Sequence, residues 1–195
     1  QFTGKALSCT DCTSGKYQPS NDAVGASCKL CLAGFFNKGK QSATCSSCAE
    51  GQYQGKAGNT SCQVCGIGTA STNAAALSCA TCSKGLFQDD SPSVVYGCKI
   101  CFQGQYMNRT ASQECQQCAK GKYLADRAKD ESKHDSVEDC VVCEIQTYNP
   151  FEGQANCRPC PSAASTGVTE CTGCDPGEHE TTGGCEYFHF FSFIL

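Results

Sequence analysis

The stretch Cys45-Ser-Ser-Cys48-Ala-Glu-Gly51-Gln-Tyr53 sets the pattern for almost the whole chain. Two cysteines separated by two residues are followed by a glycine three positions on and an aromatic residue five positions on. The pair C-x-x-C occurs ten times, beginning at residues 9, 28, 45, 62, 79, 98, 115, 140, 157 and 171, and Cys185 follows alone. A unit that recurs about every 17 residues predicts a tandem-repeat architecture. We number the repeats 1 to 10 by these pairs.

The composition indicates that covalent cross-links stabilise the fold. Cysteine accounts for 21 of the 195 residues, whereas the chain has no Trp and one Met. So little apolar surface cannot offset an ordering cost of about 1–2 kcal/mol per residue. Disulfides supply stability by restricting the unfolded chain, and they persist in oxidising compartments. We therefore expect a secreted or extracellular-surface protein, and the net charge of −4 argues against a nucleic-acid partner.

The other repeated positions predict short hairpins. Glycine, found in eight of the ten repeats, permits a left-handed or tight turn. The aromatic residue, found in seven, opens a short strand and is expected to lie against a disulfide. Each repeat should contact only its neighbours. The predicted fold class is small and disulfide-rich, an elongated tandem-repeat rod of short β-hairpins and loops with almost no helix.

Some repeats depart from the pattern, and distortion is expected there. Glycine is replaced at Gln146 and Ala163, and the aromatic residue is replaced at Ala70, Ser165 and His179.

Cysteine arithmetic favours one disulfide connectivity among many. If the second cysteine of each pair bonds the first cysteine of the next, Cys185 finds a partner and only Cys9 is left over. Bonding first to first and second to second strands Cys185 instead. The favoured bridges are Cys12–Cys28, Cys31–Cys45, Cys48–Cys62, Cys65–Cys79, Cys82–Cys98, Cys101–Cys115, Cys118–Cys140, Cys143–Cys157, Cys160–Cys171 and Cys174–Cys185.

Zinc binding is the main alternative use of these cysteines, because C-x2-C-x15–20-C-x2-C is also a structural zinc spacing. The glycine and aromatic positions recur after every pair rather than every second pair, which favours disulfides. No catalytic constellation is present, since His134, His179 and His189 are scattered and no phosphate loop or metalloprotease motif occurs. We expect no enzyme activity, no metal and no cofactor.

The repeats resemble the ephrin-receptor-like cysteine-rich repeat, known as the tyrosine-kinase ephrin type-A/B receptor-like domain. The resemblance rests on the stretch from Cys45 to Tyr53 and on Cys115-Gln-Gln-Cys118-Ala-Lys-Gly121-Lys-Tyr123, and it extends over residues 9–185. The segment Lys133–Cys140 is also similar to algal or stramenopile members. The resemblance implies an extended extracellular fold without chemistry, as in surface and flagellar-hair proteins of protists and algae.

This pattern divides the chain into an N-terminal remnant (1–8), ten tandem repeats (9–185) and an apolar tail (186–195). The long loop between Cys118 and Cys140 is rich in both charges and is interpreted as a solvated loop. Binding of calcium or a partner is the alternative, although the spacing of its acidic residues matches no EF-hand. The tail is too short to span a bilayer. Its predicted interface residues are Tyr187, Phe188, Phe190, Phe191 and Phe193.

Two functional hypotheses follow. The first is a structural subunit of an extracellular filament, coat or cell-surface appendage, whose partners are itself or other extracellular structural proteins. The second is a ligand-binding or adhesive ectodomain of a surface receptor or antigen. The sequons at Asn59 and Asn108 predict N-glycans. Neither hypothesis includes nucleic acid or a membrane span within this chain.

Overall fold

In the computed structural model, residues 11–19, 27–90, 97–171, 178–181 and 184–187 are described, the last two stretches as backbone only. The strands form two-stranded antiparallel sheets of consecutive partners. With one exception, each hairpin pairs the two residues after the glycine position with the two residues between the next cysteines. Gln52 opposite Val64 and Tyr53 opposite Gln63 show this register. The predicted fold class of small disulfide-rich β-hairpin repeats is confirmed.

The strands lie in chain order, and each hairpin uses two of them. They are β1 (Lys16–Tyr17) with β2 (Lys29–Leu30), β3 (Phe35–Phe36) with β4 (Ser46–Ser47), β5 (Gln52–Tyr53) with β6 (Gln63–Val64), β7 (Thr69–Ala70) with β8 (Ala80–Thr81), β9 (Leu86–Phe87) with β10 (Lys99–Ile100), β11 (Gln105–Tyr106) with β12 (Gln116–Gln117), β13 (Lys122–Tyr123) with β14 (Val141–Val142), β15 (Thr147–Tyr148) with β16 (Arg158–Pro159), and β17 (Glu178–Thr181) with β18 (Gly184–Tyr187). Within the described residues, helical structure is limited to two 3₁₀ turns at Glu131–Lys133 and Val137–Asp139.

Disulfides join the second cysteine of one pair to the first cysteine of the next, which is the connectivity that the arithmetic favours. Both partners are described for Cys12–Cys28, Cys31–Cys45, Cys48–Cys62, Cys65–Cys79, Cys101–Cys115, Cys118–Cys140, Cys143–Cys157 and Cys160–Cys171. Cys82 and Cys98 are also disulfide-bonded. Cys9, Cys174 and the side chain of Cys185 lie outside the described residues. A cysteine sulfur held in a disulfide is no longer the thiolate that zinc requires.

The glycine of each repeat is the point at which one repeat bonds to the next. Gly34 has a φ of 83°, the left-handed region that favours glycine. Its N–H donates to the carbonyl of Gln54 at 2.7 Å, in the following repeat. Its own carbonyl accepts from the N–H of Cys48 at 2.8 Å. The same two bonds recur at Gly51, so the glycine is a backbone junction rather than a turn residue alone.

Contacts also reach two repeats along the chain, so the expectation that each repeat contacts only its neighbours is wrong. The chain forms two compact units, residues 1–81 with 88–98 and residues 82–87 with 99–195. In the first unit, a Cβ on Gly34 of repeat 2 would overlap the carbonyl oxygen of Ala75 in repeat 4. In the second, a Cβ on Gly104 of repeat 6 would overlap the carbonyl of Gly153 in repeat 8. Only a residue without a side chain allows this approach.

The substitution of Gln146 for glycine leaves repeat 8 undistorted, against expectation. Gln146 keeps the left-handed conformation, with a φ of 64°. Its carbonyl accepts from Cys160 at 2.7 Å and its N–H donates to Ala163 at 2.8 Å. The hairpin that follows it forms in the usual register. Repeat 9 does depart from the pattern, because residues 164–165, directly after Ala163, form no strand.

The buried interior of each repeat is a cysteine and the residue after the aromatic position. The second cysteines of the described pairs are at most 6% exposed. The residues after the aromatic position that are buried are Asn37, Gln54, Ser71, Gln88, Met107, Leu124 and Asn149. Of the described aromatic residues at the aromatic position, Phe87 is buried and the others are half-buried. Most of the rings therefore lie beside this interior rather than within it. Tyr106 does pack against the Cys118–Cys140 disulfide, as predicted.

We predict that Gly34→Ala destabilises the protein by about 2 kcal/mol or more. A non-glycine residue in the left-handed region costs about 1–3 kcal/mol, and here the added methyl group also meets the backbone of Ala75. Gly66→Ala is the matched control, since a Cβ at Gly66 meets no atom within 4 Å. Urea unfolding of the oxidised protein measures both variants. Equal stability of the two variants would show that the close approach at Gly34 does not contribute to the free energy of unfolding.

Candidate functional site

The segment between Cys118 and Cys140 is the largest departure from the repeat, and it is folded by its own polar side chains. The carboxylate of Asp126 accepts hydrogen bonds from the backbone N–H groups of Lys129 at 2.9 Å and Asp130 at 3.4 Å. Asp130 caps the first 3₁₀ turn by accepting from the N–H of Ser132 at 3.0 Å. These bonds satisfy the donors that a helical start leaves free.

The second 3₁₀ turn begins with a reciprocal cap. The Ser136 side chain accepts from backbone N–H groups of the turn, and the Asp139 carboxylate accepts from the N–H of Ser136 at 2.9 Å. The Ser136 hydroxyl also donates to the carboxylate of Glu138. This arrangement is the capping box of helix N-termini. Several of the acidic residues in this segment therefore cap its backbone.

His134 is the centre of the segment. It is 0% exposed, and its Nδ1 lies 2.7 Å from the carbonyl oxygen of Gln105. Its Nε2 lies 3.1 Å from Oδ1 of Asp126. A carbonyl and an ionised carboxylate can only accept hydrogen bonds, so both ring nitrogens must donate.

The Gln105 carbonyl that His134 satisfies belongs to a recurring position, between the glycine and the aromatic residue. In repeat 1 the equivalent carbonyl of Lys16 accepts from Nδ2 of Asn37 at 2.8 Å. In repeat 7 the carbonyl of Lys122 accepts from Nδ2 of Asn149 at 2.8 Å. Each donor is the buried residue after the aromatic position of the next repeat.

Repeat 7 has Leu124 at this donor position, and leucine has no polar side-chain atom to offer. A carbonyl without a partner in the interior is costly, and here a different side chain bonds to Gln105. The longer loop of repeat 7 carries His134 into that place. The backbone carbonyl of His134 also accepts from the N–H of Met107 at 2.7 Å. The loop is thus anchored through the buried His134, while most of its charged side chains are exposed, as expected for a solvated loop.

The ionised forms of Asp126 and Asp130 are favoured by these bonds. The pKa of Asp126 is lowered from its ordinary value, first by the backbone N–H of Lys129 and then by the hydrogen bond from His134. The pKa of Asp130 is lowered by the hydroxyl and backbone N–H of Ser132. Hydrogen bonds to a carboxylate favour its charged form.

A calcium site in this loop has no support in the observed geometry. In the part of the chain that the structure describes, no three His, Cys, Asp or Glu side chains are grouped in a way that could hold a metal ion.

The predicted glycosylation and interface residues differ in how far the structure places them. Asn108 is exposed, whereas Asn59 is half-buried and its Nδ2 donates to the carbonyl of Lys56 at 2.9 Å. The backbone of Tyr187 belongs to strand β18, opposite Glu178, rather than to a separate tail. The remaining predicted interface residues lie outside the described residues, namely Phe188, Phe190, Phe191 and Phe193.

An open depression of about 520 Å³ lies in the second unit, lined by Phe102, Gln103 and Arg127. The ring of Phe102 meets the ring of Phe87 edge to face, with centroids 6.3 Å apart. The ammonium group of Lys99 lies 5.8 Å from the centre of the Phe87 ring. An exposed ring beside a guanidinium can contact a ligand or partner, but it contains no group suited to acid–base or nucleophilic catalysis.

These features define a small disulfide-rich protein of repeated β-hairpins. Residues 34–82, from repeat 2 to repeat 5, match the family model described as tyrosine-protein kinase ephrin type A/B receptor-like. Residues 34–82 therefore contain the ephrin-receptor-like cysteine-rich repeat, which confirms the predicted resemblance for that stretch. This module indicates an extracellular, non-enzymatic domain, and the many disulfides fit a secreted or extracellular protein. A search of the curated proteins finds no match to this chain.

Among the described residues, no helix has the length and apolar character that crossing a bilayer requires.

Sequence reasoning missed His134 because it treated the three histidines as scattered. A signal was present, since the position after the aromatic residue is Asn, Gln or Ser in repeats 1 to 5 and in repeat 8. It is apolar at Met107 and Leu124, and the longest loop follows Leu124. A missing donor next to an insertion that contains a histidine predicts the replacement.

We predict that His134→Ala destabilises the protein by about 1–3 kcal/mol, because it leaves the Gln105 carbonyl and the Asp126 carboxylate without their donor. Lys133→Ala is the control, since a surface substitution is expected to stay within about 0.5 kcal/mol. Amide hydrogen exchange across residues 124–139 should increase in the first variant only. Unchanged exchange in His134→Ala would mean that the histidine does not organise the loop.

We predict that acid weakens the loop through Asp126. Because its pKa is lower in the folded protein than the ordinary 3.8, its contribution to stability is complete above that value. The contribution is lost as the pH falls through the lower, folded-state pKa. Urea midpoints between about pH 5 and pH 2 should fall more in the wild type than in Asp126→Asn, which cannot titrate. Parallel curves for the two proteins would contradict this assignment.

Proposed function

We propose that this chain is a non-catalytic structural segment of an extracellular filament, coat or cell-surface appendage, acting through self-association or docking to other extracellular structural proteins. The ephrin-receptor-like repeat supports the extracellular, non-enzymatic part of this proposal. The finer role rests on how the repeats bond to one another.

One observation carries the structural role, namely that the same backbone bonds recur from repeat to repeat. In the first unit the glycine N–H groups of Gly15, Gly34 and Gly51 each donate to the next repeat at 2.7 to 2.8 Å. In the second unit Gly104 and Gly121 do the same at 2.8 and 2.9 Å. A repeat built this way is an architectural unit, because its conserved geometry serves the stacking of repeats rather than a single site.

The interior of the repeats also favours architecture over catalysis. The polar side chains in it satisfy local backbone groups, as Gln88 does by donating to Gly97 at 2.8 Å. Bonds of this kind specify one register for each turn and contribute about 1 kcal/mol each. Among the described residues, His134 is the only buried titratable side chain, and it bonds to the half-buried Asp126.

Secretion and glycosylation complete the proposal. Asn108 is exposed, so we expect it to be the better of the two acceptors. Asn59 has the same sequon, but its amide is already engaged with Lys56. N-glycans at these positions are compatible with the turns between the cysteine pairs.

The C-terminal aromatic residues are proposed to take part in assembly. Residues 187–195 contain five aromatic residues, far more than any repeat does. Strips of this composition bind partners or pair at strand edges when they are not covered. The backbone pairing of β17 with β18 brings the chain to the start of this segment.

A ligand-binding or adhesive ectodomain is the second candidate, and the depression at Phe102, Gln103 and Arg127 favours it. Aromatic and arginine side chains are common at the centres of binding surfaces. Under this alternative the chain stays monomeric and binds a different molecule at this depression.

We predict that the oxidised full-length chain self-associates with increasing concentration, and that removing residues 188–195 weakens this association without changing the urea midpoint. The deletion keeps strand β18 intact. Sedimentation velocity and negative-stain images of non-reduced protein measure assembly. A wild type that remains monomeric at every concentration contradicts the structural role and supports the ectodomain. If the wild type and the deletion variant assemble equally, the tail has no role in assembly, while the proposed structural role is unaffected.

A further inference from the structure

The open depression in the second unit is formed by a turn of repeat 6 and the long loop of repeat 7. Phe102 and Gln103 line it from the turn, and Arg127 lines it from the loop. Its volume of about 520 Å³ falls within the range of about 300–1,000 Å³ that is typical of small-molecule sites. Such sites combine an apolar surface with a few polar groups at fixed places. Here these groups are one aromatic ring, one amide and one guanidinium.

The turn that carries Phe102 is fixed by two contacts. The N–H of Gln105 donates to the carbonyl of Phe102 at 3.0 Å, which closes the turn. The ring of Phe102 also meets the buried ring of Phe87 edge to face. Phe102 is nevertheless 59% exposed, so much of its ring remains open to solvent. An apolar surface is therefore held in place before any ligand arrives.

The loop that carries Arg127 is fastened to the same turn. The ring of His134 bonds to the carbonyl of Gln105 at 2.7 Å and to the carboxylate of Asp126 at 3.1 Å. Arg127 directly follows Asp126 in the chain, so these two bonds hold its backbone beside the turn of repeat 6. The insertion in repeat 7 thus supplies one wall of the depression.

The guanidinium of Arg127 is open to a ligand. Arg127 is exposed, and in the described part of the chain no carboxylate pairs with it. The carboxylate of the neighbouring Asp126 is already bonded to His134 and to two backbone N–H groups. A guanidinium presents planar donors that match the oxygens of a carboxylate or a sulfate. A ligand suited to this site therefore carries an anionic group of that kind.

A second ring and guanidinium in this unit show the contrasting, closed arrangement. In repeat 8 the guanidinium carbon of Arg158 lies 5.4 Å from the centre of the Phe151 ring, which is a cation–π contact. Phe151 is 54% exposed, close to the value for Phe102. Its ring is covered by the guanidinium, whereas Phe102 and Arg127 line an open depression. The pair in repeat 8 is therefore the matched control for the depression.

We infer that the depression binds an anionic saccharide, a sugar unit that carries a carboxylate or a sulfate. A pyranose presents a flat face of C–H groups, which the negative face of an aromatic ring such as Phe102 attracts. Its hydroxyl groups can both accept from and donate to the amide of Gln103, while Arg127 binds the anionic group. A neutral sugar leaves the guanidinium unused, and an acidic peptide has no flat C–H face for the ring.

This inference rests on the ligand-binding alternative of the proposed function and not on self-association. The probe is a trisaccharide of galacturonic acid. The comparison ligands are its carboxyl-reduced neutral form, a sulfated galactose trisaccharide and triglutamate. Amide shifts in NMR spectra of the isotope-labelled, oxidised full-length chain measure binding. We expect the shifts to centre on residues 102–105 and 125–128, and the neutral trisaccharide to bind about tenfold more weakly, the loss expected for one hydrogen bond to a charged group.

Phe102→Ala and Arg127→Gln each remove one part of the site, and Phe151→Ala and Arg158→Gln make the same changes in repeat 8. We expect the first two variants to weaken binding of the galacturonate trisaccharide about tenfold and the two controls to leave it within about twofold. Urea midpoints show that each variant is folded. Arg127→Gln alters only an exposed side chain, so it decides the test even if Phe102→Ala is unstable.

Binding of either anionic trisaccharide with this dependence on Phe102 and Arg127 supports the inference, and the tighter of the two identifies the anionic group. Absence of binding by both, or equal losses in the test and control variants, overturns it. Triglutamate binding as tightly as the saccharides would identify an acidic peptide as the ligand and would also overturn it. Sedimentation measures self-association separately, so failure at this site leaves the proposed structural role unchanged, and a monomeric chain that binds the saccharide supports the ectodomain instead.

Discussion

The close approach of backbone at the repeat glycine is the constraint on which the rest of the fold depends. Gly34 holds a left-handed conformation, donates to one repeat and lies against the carbonyl of the repeat after that. A side chain there would separate all three segments. With such short strands, hairpins of this kind are not stable alone. The disulfides hold the strands in register, and the glycine junction allows successive repeats to share their backbone hydrogen bonds.

That junction also explains why the interior is polar. Where backbone segments meet closely, carbonyl and N–H groups become buried, and each needs a partner. Asparagine and glutamine fill this need where an aliphatic side chain cannot. His134 meets the same need at another point, because the long loop brings its ring to the Gln105 carbonyl where the next repeat has Leu124.

A fold of this kind separates its architecture from its surface. The glycine, the second cysteine and the residue after the aromatic position are fixed by internal bonding, whereas the turn between cysteine and glycine is free to vary. In repeats 2, 4, 6 and 8 that turn contains one large apolar residue, such as the exposed Leu32 and Ile145. These exposed residues can vary without altering the interior. This division favours a structural or binding role over catalysis, which needs several reactive groups held at one place.

The sequence by itself determined the repeat, the hairpins and their disulfides, because these depend on near neighbours in the chain. Cysteine spacing restricts the possible bridges, and a glycine with an aromatic residue two positions later predicts the turn and strand at Tyr53. The tertiary structure alone decided the contacts that reach two repeats, such as Gly34 against Ala75, and the burial of Gln88 and His134 in place of most rings. Those features arise where segments far apart in the chain compete for the same space and the same hydrogen bonds. A sequence pattern describes residues that are near one another in the chain and cannot represent this competition. Only the folded structure therefore shows which donor reaches which carbonyl.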